Sequence, residues 1–336
     1  MESKLPEPVY GSIEPSGGRF SCDACQCSRS GWLGQLLSWP ARAAFLTVFV
    51  LSTLPVWTYT LATDVFCSCC TRTDDQVRRR GRFIAWLTAC CWSIALRICF
   101  WIRLEDSGLK RLQEAGTRGR QVFMAINHVS WLDTPLVCAH MPDHLIGDAK
   151  TLMAKLHLGL PILGRLAQAI GHMPVPFLSN KSFNVDKQKL AKTMDRLNAH
   201  LAAGGHLAIF PEGDLNAKWH TLLPFRAGSL ELCIRYDMEV WGWVFAGTAD
   251  CWPSTVALGG SPAAIRTSAA MLYASAKAAA QNLAGPDADL RTQAVALAGD
   301  MRSRMQRSLD ELRGIVPSEE GGAAEPEGEA FLRKGP

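Results

Sequence analysis

Gln121-Val122-Phe123-Met124-Ala125-Ile126, running straight into Asn127-His128-Val129-Ser130-Trp131-Leu132-Asp133, decides the fold class of this chain. The first six residues are short, apolar and rich in strand formers, as expected of a buried strand. The polar break then opens onto Thr134-Pro135-Leu136-Val137, which can start a helix with Asp133 or Thr134 near its cap. His128 therefore leaves the end of a strand, where α/β proteins tend to carry their chemistry. Residues five apart on a regular helix are turned by roughly 140° at ~100° per residue, so contact between His128 and Asp133 requires a bend. A strand-to-helix turn supplies one. Histidine is suited to taking a proton near neutral pH, and a carboxylate on its other ring nitrogen fixes tautomer and orientation.

On spacing alone, a capping aspartate beside a partly buried histidine is the simpler reading. A second motif, Phe210-Pro211-Glu212-Gly213, changes the balance. Together the two stretches resemble the glycerolipid acyltransferase family, which contains the 1-acylglycerol-3-phosphate acyltransferases. Lys155 with Leu160-Pro161-Ile162-Leu163-Gly164, and Leu223-Pro224-Phe225-Arg226-Ala227-Gly228, resemble further family segments in the same order. The resemblance covers roughly residues 110 to 250, about one domain.

Composition is compatible with that resemblance. Of the 336 residues 48% are hydrophobic and 20% charged, which allows a substantial core. The net charge of +4 suits anionic lipid surfaces and anionic substrates, and it is not a nucleic-acid signature. The 12 cysteines do not form the pattern of a disulfide scaffold. Cys22, Cys25 and Cys27 make one cluster and Cys67, Cys69 and Cys70 another, but neither repeats a CxxC pair and no histidine is nearby. That argues against zinc. The second cluster lies beside an apolar segment, a setting for S-acylation.

Residues 1–40 read as a polar, mobile arm without the apolar core of a conventional signal peptide. Residues 41–103 read as a hydrophobic membrane hairpin. Its first limb, Ala43 to Thr63, is uncharged and about long enough to cross a ~30 Å hydrocarbon core. Trp39, Trp57 and Tyr59 suit the interface, and Pro55 suits a kink. Arg72, Arg78, Arg79, Arg80 and Arg82 follow in a basic loop suited to the cytosol or an anionic leaflet. The second limb, Phe83 to Ile102, is interrupted by Arg97, which near a helix end can snorkel. Two spans and a hairpin dipping into one leaflet both fit, with the hairpin preferred.

Residues 104–260 alternate strands with helices and are expected to form an α/β domain, a mixed sheet flanked by helices. Candidate strands are Gln121–Ile126, His144–Gly147, His172–Phe177, His206–Phe210 and Val240–Ala246, and Val185–Ala203 has helical periodicity. Residues 261–316 read as an Ala-rich extension of two helices broken near Gly285-Pro286, and 317–336 as a disordered tail.

The resemblance implies roles for individual residues. His128 would be the general base on an acceptor hydroxyl and Asp133 its orienting carboxylate, with no enzyme nucleophile. Backbone N–H groups in the turn after His128 are candidate oxyanion donors. Phe210, Pro211, Glu212 and Gly213 would bind the acyl acceptor, with Glu212 accepting from a hydroxyl or organising a cation. Arg226 would meet a phosphate, and Lys155 would belong to the substrate-binding set. Two departures bear on the headgroup. No arginine follows Gly171-His172-Met173-Pro174-Val175-Pro176-Phe177, where Lys181 could substitute as a point charge, and Asp214-Leu215 replaces a usual Thr-Arg. The acyl-transfer pair is untouched by either.

His172, His206 and His220 read as ordinary loop or strand residues, and Trp241, Trp243 and Trp252 as core or interface. The expected protein is a membrane-bound O-acyltransferase that moves an acyl group from acyl-CoA to a lysophospholipid, with lysophosphatidic acid as leading acceptor and phosphatidic acid as product. It would use no cofactor and no metal, and it would reside in the endoplasmic reticulum membrane or that of another organelle. The alternatives are another lysolipid acceptor, CoA-independent transacylation, or a non-catalytic lipid-binding membrane protein.

Overall fold

In the computed structural model the described residues are 32–66, 73–106, 108–179 and 182–315. Of the arm expected at 1–40, residues 1–31 lie outside them, as do the six cysteines singled out above, Arg72, Lys181 and the tail from 317; residues 32–40 are not arm but the first turns of a helix. Two long helices come first, α1 (Trp32–Phe66) and α2 (Asp74–Ile98). Helix α2 starts in a reciprocal cap, in which Thr73 accepts from the Gln76 amide and Gln76 accepts from the Thr73 amide. Both helices are long and apolar enough to cross a membrane.

They pair antiparallel. Arg80 near the start of α2 binds Asp64 near the end of α1 at 2.7 Å, and Trp92 Nε1 donates to Thr53 Oγ1 at 3.1 Å. One face of each also docks on the domain that follows. Phe45 of α1 is buried edge-on against Trp252, and α2 buries Ile84, Ala85, Thr88, Ala89 and Trp92.

The domain continues through β1 (Ile102–Asp106), α3 (Leu109–Leu112), β2 (Val122–Ile126), α4 (Asp133–His140) and α5 (Asp143–Ile146). Two short strands follow, β3 (Ala149–Lys150) and β4 (Leu152–Ala154). After a 3-10 turn at Lys155–Gly159 come α6 (Leu163–Ile170), β5 (Met173–Val175), β6 (Phe177–Ser179), β7 (Ser182–Val185) and α7 (Lys187–Ala202). The chain then forms β8 (His206–Ile209), α8 (Ala227–Arg235), β9 (Glu239–Ala246), α9 (Thr248–Cys251), β10 (Ala263–Tyr273), α10 (Ala276–Ala284) and α11 (Leu290–Leu312).

Six strands make the main sheet in the order β1-β10-β9-β2-β8-β3, parallel throughout except for the β9–β10 pair. This is the mixed sheet flanked by helices that alternating strand and helix patterns imply. Strand β2 is wholly buried and lies between β8 and β9. Its alternation divides the core. Phe123 and Ala125 pack toward α8, α10 and α11, whereas Val122, Met124 and Ile126 pack toward α2 and α4. Buried on both faces, the strand reads as an unbroken apolar run.

Two expectations need correction. His144–Gly147 is not a strand, because Pro142 leads Asp143–Ile146 into a helical turn; a four-residue apolar run does not tell strand from helix. The stretch after residue 261 does not begin helically. Its first element is β10, which carries the sheet to Tyr273 between β1 and β9. Ala263, Ala264, Ala269 and Ala270 conceal its alternation, since alanine favours helix while fitting either face of a strand.

Candidate active site

The candidate site begins where β2 ends. Asn127 is fully buried, and its side chain bridges to the β9 backbone: Nδ2 donates to the Phe245 carbonyl at 3.0 Å and Oδ1 accepts from the Phe245 amide at 2.8 Å. The strand pairing is thus prolonged by a side chain while the backbone turns away. His128 follows, with Nδ1 3.1 Å from Asp133 Oδ2. That same oxygen accepts from the Val129 and Ser130 amides, each at 2.8 Å. Asp133 stands in the first turn of α4 and is fully buried. One carboxylate therefore closes the turn and orients the imidazole.

The turn is braced on its far side. Ser130 Oγ donates to the Trp252 carbonyl at 2.6 Å and accepts from the Leu132 amide at 3.0 Å. The amides of Val129, Ser130 and Leu132 are thus engaged within the turn and do not supply oxyanion donors, contrary to the expectation for them.

Strand β8, parallel to β2, brings Phe210 and Glu212 alongside. The Phe210 ring stacks on the His128 ring at 3.9 Å between centroids and 15° between planes. Glu212 is 2% exposed. Its Oε1 accepts from the His128 amide at 2.9 Å, and its Oε2 accepts from Asn216 Nδ2 and the Leu223 amide, both at 2.8 Å. The Asn216 amide in turn donates to the His128 carbonyl at 2.7 Å. Burial raises the Glu212 pKa, opposed by those N–H donors. Both oxygens are occupied by the chain itself, an arrangement that positions His128 rather than one that reaches out for a hydroxyl or cation.

Pro211 is buried and its carbonyl accepts from the Arg226 amide at 2.8 Å. Gly213 has φ +73°, and a Cβ there would meet Arg226 Nε at 2.0 Å, so glycine is required by conformation and by space. The exposed Arg226 lies across this turn, with Nε 3.3 Å from the Glu212 carbonyl. Lys155 is exposed at the start of the 3-10 turn, whose His157 ring lies edge-on to Trp131 at 6.0 Å. That turn packs on α6 through Gly164, where a Cβ would meet the Leu158 carbonyl at 2.3 Å.

His128, Asp133, Phe210 and Glu212 thus meet at the carboxyl ends of parallel strands, with Arg226 beside them. Trp241 and Trp243 are core residues, 2% and 0% exposed. His172 and His206 are hydrogen-bonded into the fold through Nδ1, which accepts from the Thr151 and Val122 amides respectively. His220 pairs with Arg313 at 2.6 Å. Among the described residues no group of three metal-ligating side chains comes together.

Sequence reasoning assigns no role to Asn127, Asn216 or His157. Only Asn127 stands inside a motif, and nothing local tells that its partner is Phe245. The half-buried His157 has its pKa lowered by burial and by the charge of His128.

Residues 103–245 match the family model described as Acyltransferase. No curated protein matches the chain significantly. Among solved structures, the 1-acyl-sn-glycerophosphate (LPA) acyltransferase PlsC from Thermotoga maritima is similar to it with a TM-score of 0.57 and 14% identity, over 85% of this chain and 100% of that one. At that identity the likeness is one of fold.

Proposed function

We propose that this chain, which belongs to the acyltransferase family through residues 103–245, transfers an acyl group from acyl-CoA to the free hydroxyl of a lysoglycerophospholipid. Lysophosphatidic acid is the leading acceptor and phosphatidic acid the product. The observation that carries the reading is the 3.1 Å contact between His128 Nδ1 and the buried Asp133. With Nδ1 held there, Nε2 is left to take a proton.

In the proposed step the acceptor O–H gives its proton to His128 Nε2 as the oxygen attacks the thioester carbonyl carbon. The tetrahedral oxyanion collapses, the C–S bond breaks, and the departing thiolate takes the proton from His128. Asp133 stabilises the imidazolium formed in between. Arg226 and Lys155 supply positive charge for a phosphate on either substrate, and Lys181 is a further basic residue for that role. Phe210 keeps the imidazole plane fixed by stacking.

A membrane surface is the proposed setting, with lysolipid and acyl-CoA both partitioning there. The outward faces of α1 and α2 expose Leu46, Val50, Leu51 and Leu54, and Phe83, Trp86, Ile94 and Ile98. Helices docked on the domain along one face and apolar on the other support a hairpin seated in one leaflet over two full spans. Arg97, exposed in the last turn of α2, can lift its charge to the headgroups.

The test is acyl transfer from labelled acyl-CoA to defined lysolipids in liposomes, wild type beside His128→Ala. Loss of the base should lower turnover by at least about 10²-fold. Equal turnover in both proteins would overturn the mechanism. Product formed from phospholipid without acyl-CoA would indicate transacylation, and lysolipid binding without turnover would indicate a binding protein.

A further inference from the structure

We propose that Arg302 and Gln306, on the C-terminal helix α11, are positioning residues for His128, acting through the peptide that joins Leu222 to Leu223 and then through Glu212. The inference rests on the reading of His128 as the base. Helix α11 lies wholly beyond the family match at residues 103–245, so no role for it follows from that match.

The relay is a single peptide unit. Its carbonyl, that of Leu222, accepts from Arg302 Nε at 2.8 Å. Its amide, that of Leu223, donates to Glu212 Oε2 at 2.8 Å. Glu212 Oε1 then holds the His128 amide at 2.9 Å. A guanidinium on the carbonyl polarises the peptide and strengthens the hydrogen bond that the N–H at its other end donates, so the two contacts reinforce one another.

Gln306 fixes the same segment from one turn further along α11. Its Oε1 accepts from the Leu222 amide at 2.8 Å, and its Nε2 donates to the His220 carbonyl at 3.0 Å. A side-chain amide that both accepts from and donates to one backbone segment sets the position of that segment as a neighbouring strand would. Asn216 closes the loop: its Nδ2 reaches the Thr221 carbonyl and Glu212 Oε2, each at 2.8 Å, and its amide holds the His128 carbonyl.

Packing alone does not call for these bonds. Helix α11 already buries Leu297, Ala298, Met301, Met305 and Leu309 against the core. Arg302 and Gln306, four residues apart, form an adjacent polar stripe turned onto the 220–223 segment. A base needs its ring fixed closely, and a displacement of about 1 Å can cost on the order of 10²-fold in rate.

The experiment compares full-length wild type, Arg302→Met, Gln306→Leu, the double variant, the conservative Arg302→Lys and the exposed control Arg307→Ala in liposomes. It reads kcat and KM for both substrates, thermal unfolding, and amide hydrogen exchange of peptides covering 122–133 and 210–226. The double variant is expected to lose about tenfold or more in kcat with KM changed by no more than about twofold. Exchange should quicken in both peptides, Arg302→Lys should recover most of kcat, and Arg307→Ala should match wild type.

A folded double variant with wild-type kcat, or faster exchange confined to 218–223, overturns the inference. If the double variant does not fold, Gln306→Glu, which keeps the acceptor for Leu222 and loses the donor to His220, is read by the same criteria. Should His128→Ala retain wild-type turnover, the base assignment fails, and the exchange measurement still decides whether α11 reaches the His128 turn.

Discussion

The Asn127 side chain and the Phe245 backbone exchange two hydrogen bonds, at 3.0 and 2.8 Å, across 118 residues of sequence. This is how the sheet lets go of β2 without leaving β9 unpaired at the point where His128 begins. Asn127→Ala strands the buried N–H and C=O of Phe245, and an orphaned buried group costs about 1–3 kcal/mol. We expect a loss of at least about 2 kcal/mol in denaturant unfolding. Asn127→Asp keeps the acceptor but sets a carboxylate against the Phe245 carbonyl, and should be no better. Stability within error of wild type in both variants would contradict the bridging role.

Asp133 combines two tasks that a substitution can separate. In the Asp133→Asn variant the side-chain amide oxygen can sit where Oδ2 now accepts from Val129, Ser130 and His128. The new NH2 group then occupies the Oδ1 position, which has no hydrogen-bond partner among the described residues. The turn should persist with modest destabilisation, while the charge that steadies an imidazolium is gone. Turnover should fall by roughly 10²–10⁴-fold while the protein stays folded. A variant that is folded and nearly as active as wild type would remove Asp133 from the mechanism.

How far the sequence reveals this site depends on the range of its contacts. Strands β2 and β9 are legible because strands buried on both faces read as apolar runs, and α7 because Leu190, Met194, Leu197 and Leu201 recur on one face. The bend that lets His128 meet Asp133 follows from five-residue spacing and a strand-to-helix break. Strand β10 stays hidden because its alternate positions are mostly alanine, serine and threonine, which mark no face strongly. The supports of the turn are hidden for another reason. Leu222 and Gln306 are 84 residues apart, as are His128 and Glu212, and local pattern carries no information on such pairings. Glu212 is legible as a motif residue, but only its surroundings reveal that its oxygens face inward.

Glu212→Gln tests that inward role against direct binding of the acceptor. Glutamine offers one acceptor oxygen where the carboxylate serves three N–H donors, so an NH2 group must face a donor. We expect destabilisation of about 1–3 kcal/mol and a lower kcat with KM for the lysolipid little changed. Arg226→Ala should do the reverse for a phosphate-bearing acceptor, raising its KM by about tenfold or more, the worth of one charge-assisted hydrogen bond, while sparing kcat. If KM rises in the Glu212 variant and not in the Arg226 variant, the two assignments are exchanged.

Acid stability should report on His172, which lies away from the reacting pair. Burial, aided by the nearby Lys150 charge, pushes its pKa down from 6.5 to about 3, and its Nδ1 accepts from the Thr151 amide at 3.3 Å. The folded protein therefore holds this ring neutral, while the unfolded chain protonates it below pH 6.5. The stability it contributes is complete above pH 6.5 and is lost as the pH falls toward about 3, because the unfolded state binds the extra proton. One such proton gives a slope of up to about 1.4 kcal/mol per pH unit. His200 and His206, also held down by burial, add slopes of the same sign, so the informative quantity is the difference from a variant. His172→Asn offers an acceptor near Nδ1 without titrating, and its unfolding free energy should fall less steeply with acid by up to one proton. Parallel curves for the two proteins between pH 6.5 and about 4 would show that His172 titrates alike in the folded and unfolded states.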